Sequence, residues 1–277
     1  MDFSGRNYCG LTIDWNYKQG FVDISMPNYI KKALEKFTYT PKTPQFSSHE
    51  CARPNYGSKI QYTQPPDNTT TIDKNGKRRV QSIAGTFLYY TRAIDPTMII
   101  ALNEISTVQS APTHKTLLKC NRLMDYVATY PNAKLRYFAS DMILHVDSDA
   151  AYLVQPGARS HIAGYYILIN HPPPAPIIPR RAPNTPILIK CKTLRNVVAS
   201  AAKAKTGGLF HNGQMTIHIR RLLEALGHQQ PATPLKTDNS TSNAFVHKLL
   251  RQKKSKSWDM WYHWLRDKEQ QKYLRVF

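Results

Sequence analysis

Met142-Ile143-Leu144-His145-Val146-Asp147 is an apolar run that ends in acid, the pattern of a buried strand whose tip reaches polar surroundings. Ile162-Ala163-Gly164-Tyr165-Tyr166-Ile167-Leu168-Ile169 reads as a second strand and Ile187-Leu188-Ile189-Lys190-Cys191 as a third. Between them, His171 to Pro186 holds seven prolines and reads as an extended surface connection. Further on, Ile219, Leu222, Leu223 and Leu226 share one helical face, with Gly227 as its stop. Pro234-Leu235-Lys236-Thr237 is a short fourth strand. A helix from about Thr241, another around Trp258 to Lys268, and a last strand, Lys272 to Phe277, complete the order. Three strands, a helix, a strand, one or more helices and a strand predict an α/β domain with helices flanking the sheet.

Upstream the pattern is different. Cys9 to Trp15 and Phe21 to Ser25 alternate as the two strands of a hairpin around Lys18-Gln19-Gly20, and Ile30, Ala33, Leu34 and Phe37 then repeat at helical spacing. This unit is too small to fold alone. Pro41, Pro44, Pro54, Pro65 and Pro66 mark a loop-rich stretch ending in the basic run Lys77-Arg78-Arg79, read as a solvated loop. From Ser82 the pattern is helical, with Leu117, Cys120, Met124 and Val127 on one face and breaks at Asp95-Pro96 and Ala111-Pro112-Thr113. The expected division is therefore 1–40, hairpin plus helix; 41–81, connector; 82–134, small helical region; and 135–277, α/β domain with a Pro-rich insertion over 171–186.

The chain has 277 residues, with 38 Lys and Arg against 18 Asp and Glu, a formal net charge of +20. The length is enough to bury a sizeable core, and the charge calls for polyanionic partners, nucleic acid first. No apolar run approaches the roughly 20 residues of a spanning helix, and the N-terminus carries no signal-like pattern. Cys9, Cys51, Cys120 and Cys191 are widely spaced, which suits buried free thiols in a reducing compartment. An intracellular protein, cytoplasmic or nuclear and off the membrane, is the expectation. The scattered histidines have no zinc-ligand spacing, and neither a nucleophile elbow nor a phosphate-binding Gly-rich loop occurs.

Acidic residues are scarce, so their positions carry weight. Asp147 ends the first strand of the α/β domain and Asp238 follows its fourth. Parallel strands ending side by side can present both carboxylates at one sheet edge, where oxygen ligands hold Mg²⁺. Asp238-Asn239 also suits a helix N-cap. Downstream, Arg251, Lys253, Lys254 and Lys256 form a dense basic cluster suited to phosphate, just before Trp258, Trp261, Tyr262 and Trp264. The spacing of those aromatics, with Leu265, also suits a core face.

Val146-Asp147-Ser148-Asp149-Ala150, Arg159-Ser160-His161-Ile162-Ala163-Gly164 and Thr237-Asp238-Asn239-Ser240 resemble the ribonuclease H domain of copia-type LTR retrotransposon polyproteins. Lys254-Ser255-Lys256-Ser257-Trp258-Asp259-Met260 is similar to that family's basic stretch before its penultimate helix. Tyr8 to Ile13, Tyr29 to Leu34 and Gly85 to Ala93 are similar to the end of its reverse transcriptase, from palm to thumb and connection. The resemblance implies a ribonuclease H-like mixed sheet with flanking helices, preceded by a β-hairpin and a small helical connection region. It also implies RNA–DNA hybrid as partner and two Mg²⁺ ions held by four carboxylates.

On that resemblance Asp147 matches the first carboxylate and Asp238 the third. The second falls in Ser200-Ala201-Ala202-Lys203-Ala204-Lys205, where Lys205 stands in place of the catalytic Glu, and the family's fourth lies beyond Phe277. An ammonium cannot ligate a metal and repels one at close range. Glu224 lies 19 positions past Lys205, about 28 Å along a straight helix. Asp149 or Asp259 is the acid that could be recruited. The polymerase's paired aspartates have no match, so no DNA synthesis is expected. The expected function is a degenerate fragment that retains weak, sequence-independent nucleic-acid binding. The alternative is a working Mg²⁺-dependent hybrid ribonuclease with a recruited third carboxylate.

Overall fold

The computed structural model describes residues 6–50, 67–155, 157–170, 184–247 and 256–277. The chain divides into two compact units, Met1–Gly57 with Pro66–Phe138, and Ser58–Pro65 with Ala139–Phe277.

In the first unit four antiparallel strands run in the order β1 (Asn7–Tyr8), β2 (Leu11–Asn16), β3 (Phe21–Ser25) and β4 (Lys134–Phe138). The expected hairpin is present, but Cys9 and Gly10 both take positive φ, so its first strand turns there and β1 lies on the edge. The sequence reading places β4 in the following domain; in the structure it pairs with β3. The cause is Asp23, a buried carboxylate that needs cations. Arg136 donates to its two oxygens at 2.7 and 2.9 Å, and Lys134 lies 3.3 Å away. The Arg136 hydrogen bond holds the Asp23 carboxyl below its ordinary range against the opposing effect of burial.

Four helices, α1 (Tyr29–Lys36), α2 (Lys74–Ala93), α3 (Ile99–Val108) and α4 (His114–Thr129), bury Ile30, Phe87, Tyr90, Leu102, Ile105 and Met124 together. The run Lys77-Arg78-Arg79, read as a loop, is helical. Asp73 accepts from the Gly76 amide at 2.8 Å as N-cap, and Val80, Ile83 and Phe87 then supply the buried stripe. Arg79 donates to the Phe37 carbonyl at 2.9 Å. The break at Ala111-Pro112-Thr113 holds, because Thr113 forms a capping box with Thr116. Cys120 is buried, which pushes its thiol up to about 12, and Cys191 is half-buried. Cys9 sits in the edge turn and is exposed, contrary to the expectation, and Cys51 lies outside the described residues. No described helix is long and apolar enough to cross a membrane.

The second unit is an α/β fold with a mixed sheet and flanking helices, as expected. Its strands β5 (Ile143–Gln155), β6 (Arg159–Ile169), β7 (Pro186–Thr193), β8 (Thr233–Lys236) and β9 (Leu274–Val276) lie in the order β7-β6-β5-β8-β9. The first three are antiparallel neighbours, while β5–β8 and β8–β9 are parallel. The long helix α5 (Ala201–Ala225) connects β7 to β8, and α6 (Ser240–Val246) with α7 (Lys256–Gln270) connects β8 to β9. Leu144, Val146, Tyr166, Leu209, Leu235 and Leu265 form the core between sheet and helices. Of the Pro-rich insertion, 171–183 lies outside the described residues, and Pro186 opens β7.

The buried face of α5 takes in only part of the expected apolar stripe: Leu223 is buried in the core and Ile219 packs against it. Leu222 and Leu226 are 61% and 65% exposed, whereas Ala204, Gly208, Asn212, Thr216 and Arg220 are buried at four-residue spacing. Small side chains bring this helix close to the sheet: a Cβ on Gly208 would stand 3.2 Å from the Asp149 carbonyl oxygen. Asn212 then fastens the helix, donating to Ser148 Oγ at 2.9 Å and to the Ala163 carbonyl at 2.8 Å while accepting from the Tyr166 hydroxyl at 3.2 Å. Gly227, with φ of 92°, ends the helix as expected.

Candidate active site

The adjacent parallel strands β5 and β8 align Val146 with Leu235 and Asp147 with Lys236. Asp238 therefore lies just past the end of β8. The alternative reading of Asp238-Asn239 as a helix cap is met by Asn239, whose side-chain oxygen accepts from the Ser242 amide at 3.1 Å. That leaves the Asp238 carboxylate for another partner, and the partner is Lys205. Its ammonium donates to both Asp238 oxygens at 2.5 Å.

The local structure explains how Lys205 arrives there. Ser200 caps α5 by accepting from the Lys203 amide at 3.2 Å. The Thr206 hydroxyl pairs with Ser242 Oγ at 2.7 Å, tying the start of α5 to α6 beside Asp238. Lys205 is 22% exposed at its side chain, against 65% for Asp238 and 64% for Asp149, whose Oδ1 lies 3.5 Å from the ammonium. Burial works against the charge on Lys205, but the Asp238 hydrogen bond and the nearby Asp149 outweigh it. The lysine pKa is raised above its ordinary value.

The structure thus brings Lys205, Asp238 and Asp149 together. Asp147, the first-strand carboxylate of the sequence reading, is 13% exposed and sits 3.3 Å from Nε2 of the buried His145. The Asp-Ser-Asp spacing offers two carboxylates on one strand face. Nothing in the sequence says which of them the helix approaches.

Arg251, Lys253 and Lys254 lie outside the described residues, and Lys256 begins α7. On α7, Tyr262 and Leu265 are buried, as the core reading of that stretch expects. Trp261 stacks on Phe210 at 5.8 Å, and Trp264 meets Phe210 edge-on at 5.3 Å.

Mg²⁺ prefers near-octahedral oxygen coordination at about 2.0–2.1 Å. Here an ammonium already holds both Asp238 oxygens, and among the described residues no group of three or more His, Cys, Asp or Glu side chains is placed to hold a metal. These residues do not fit the ion. The arrangement is one ammonium shared by two carboxylates.

No protein-family model matches the chain, and no curated protein does. Among solved structures, the N-terminal ribonuclease H domain of a Mycobacterium tuberculosis protein, solved as a fusion with maltose-binding protein, is similar with a TM-score of 0.34 and 8% identity. That match covers 49% of this chain and 82% of the other. Ribonuclease H1 of the halophilic archaeon Halobacterium salinarum gives a TM-score of 0.28 and 11% identity over 48% of this chain and 80% of its own. Likenesses this loose carry no argument about function.

Proposed function

We propose that the chain is a degenerate copia-type reverse transcriptase and ribonuclease H fragment that binds nucleic acid by charge and does not cleave it. The observation that carries this reading is the Lys205 ammonium held between Asp238 and Asp149, where hydrolysis would need metal-binding oxygens. The excess of +20 supplies a sequence-independent attraction for RNA–DNA hybrid or another polyanion. In this reading Arg251, Lys253, Lys254 and Lys256 contact phosphates, Asp147 and Asp238 are former metal ligands, and Mg²⁺ is not held productively. The protein works inside the cell, in cytoplasm or nucleus, and makes no DNA.

The test is incubation of the purified chain with an end-labelled RNA–DNA hybrid and Mg²⁺, with retention followed across a salt series. The expected result is an intact hybrid whose retention weakens steeply as salt rises. Cleavage abolished by Asp147→Asn or Asp149→Asn would establish the working nuclease with a recruited carboxylate. Retention indifferent to salt would remove the binding claim.

A further inference from the structure

Along the C-terminal half of α5 runs a groove of about 800 Å³, lined also by β7, α7 and Tyr273. A smaller hollow of about 380 Å³ adjoins it, shares Lys192 and His211, and ends at Arg195 and Asn196. Together they form a track from Arg221 to Arg195. Counted from Lys205, His211 and Arg221 lie about 9 and 24 Å along the helix axis at 1.5 Å per residue, so the track is separate from the Lys205 cluster.

Its charge has one sign. Among the described residues that line either hollow, none is acidic. Lys268 is paired with Asp267 at 3.0 Å, but among the described residues Lys190, Lys192 and Arg221 form no ion pair. Lys190 is anchored in the wall by the His211 carbonyl, 2.8 Å from its ammonium. Burial, then the charge of Lys192, pushes the Lys190 pKa down; burial, then both lysines, lowers that of His211. Cations that depress one another are relieved by an anion between them. Half-buried Trp264 and Tyr273 add aromatic surface to the same wall.

We infer that this track seats the phosphate backbone of a single-stranded nucleic acid, with Arg221, Lys190, Lys192 and Arg195 contacting phosphates and Trp264 offering a stacking face. Spaced cations with interleaved aromatics are what strand binding without sequence preference requires. A groove of this size takes a few nucleotides of one strand. The choice of nucleic acid as the polyanion rests on the function proposed above; the location rests on the groove alone.

The experiment measures binding of a fluorescein-labelled oligothymidylate and of the RNA–DNA hybrid to the full chain across a salt series. Lys192→Glu with Arg221→Glu reverses two exposed groove charges, and Lys31→Glu with Lys32→Glu reverses two exposed charges on α1 as the control. The groove pair should lose roughly tenfold in strand affinity and about 1.4 in log–log salt slope, at 0.7 per lost contact; the control should lose far less. Lys192→Gln with Arg221→Gln, a milder change, should give the same order of effects. Strand binding should quench tryptophan fluorescence, and Trp264→Phe should shrink the quench.

If the groove pair loses no more than the control while the wild type still holds the hybrid, the track is overturned and the nucleic-acid reading survives. If the wild type binds the strand through the groove but not the hybrid, the track stands and the hybrid assignment falls. Wild type that holds neither probe sinks both. A nucleoside triphosphate competing as well as the strand would replace the strand assignment with a mononucleotide.

Discussion

The two ends of α5 treat positive charge in opposite ways. Near the N-terminal end, Lys205 is clasped by Asp238 and faces Asp149, so a site that resembles a place for cations already contains one. Towards the other end, Lys190, Lys192 and Arg221 line a groove whose described residues include no carboxylate. The first arrangement satisfies itself; the second needs a partner. In a chain with 18 acids against 38 bases, the position of each acid therefore decides which surfaces remain available to a polyanion. A polyanion approaching this unit would meet open positive charge in the groove and an already paired lysine at Asp238 and Asp149.

Breaking the seat that holds both ends should have the largest effect. A Cβ at Gly164 would stand 2.6 Å from Asn212 Oδ1, inside the network that fixes α5 on the sheet. Gly164→Ala should destabilise the second unit by about 2–3 kcal/mol, through overpacking and loss of buried hydrogen bonds. Thermal unfolding reads this, and adding Asn212→Ala should cost less than the two single changes summed, because they share one contact. Next comes the inversion of charge at the Lys205 end. Lys205→Glu replaces an ion pair with a third carboxylate, and in the absence of metal it should cost about 1 kcal/mol, a value kept small by solvent. In that variant, and not in the wild type, Mg²⁺ should raise the unfolding temperature. At ten times a Kd the gain is about 1.4 kcal/mol. An equal response in the wild type would mean that Lys205 does not block the ion. Asp238→Asn tests the same clasp more gently, with an expected loss of about 0.5 kcal/mol.

The legible parts of this fold are those where apolarity and burial coincide. Ile143, Leu144 and Val146 are buried as the strand pattern demands, and Pro112-Thr113 breaks the helices where the turn chemistry says. The sheet-facing stripe of α5 escaped because it is built from Gly208, Asn212, Thr216 and Arg220, whose value is close approach and hydrogen bonding rather than hydrophobicity. Apolar periodicity pointed to Ile219, Leu222, Leu223 and Leu226, of which Leu223 and Ile219 meet the core while Leu222 and Leu226 face solvent. The pairing of β4 with β3 rests on Asp23 and Arg136, 113 positions apart, and no local pattern carries such a contact. At the candidate site the likeness singled out Asp147, Lys205 and Asp238, but Asp147 lies against His145 and it is Asp149, on the same strand face, that Lys205 meets. Only the close packing of Gly208 on that strand shows which of them Lys205 reaches.

The smallest expected effect separates the two ends by pH. His211 lies in the groove with Lys190 and Lys192 facing it and Gln214 as its hydrogen-bond partner; burial, then the two lysines, lowers its pKa below the ordinary 6.5. At neutral pH it is therefore uncharged, and acidification adds a cation to the track. Strand affinity at fixed salt should rise as pH falls below 6.5, and His211→Gln should remove the part of that rise not carried by His218, which lines the same groove. Stability must move the other way. The unfolded chain takes up the proton first, so the neutral form's contribution to folding declines as pH falls below 6.5 and is gone below the folded pKa. Lys205, by contrast, has a raised pKa, so its contribution is complete below pH 10.5 and is lost only as pH climbs through the folded value. As pH falls below 6.5 the Lys205 end should stay silent while the groove responds. A strand affinity that is flat over that fall, with His211→Gln unchanged, would take His211 out of the track.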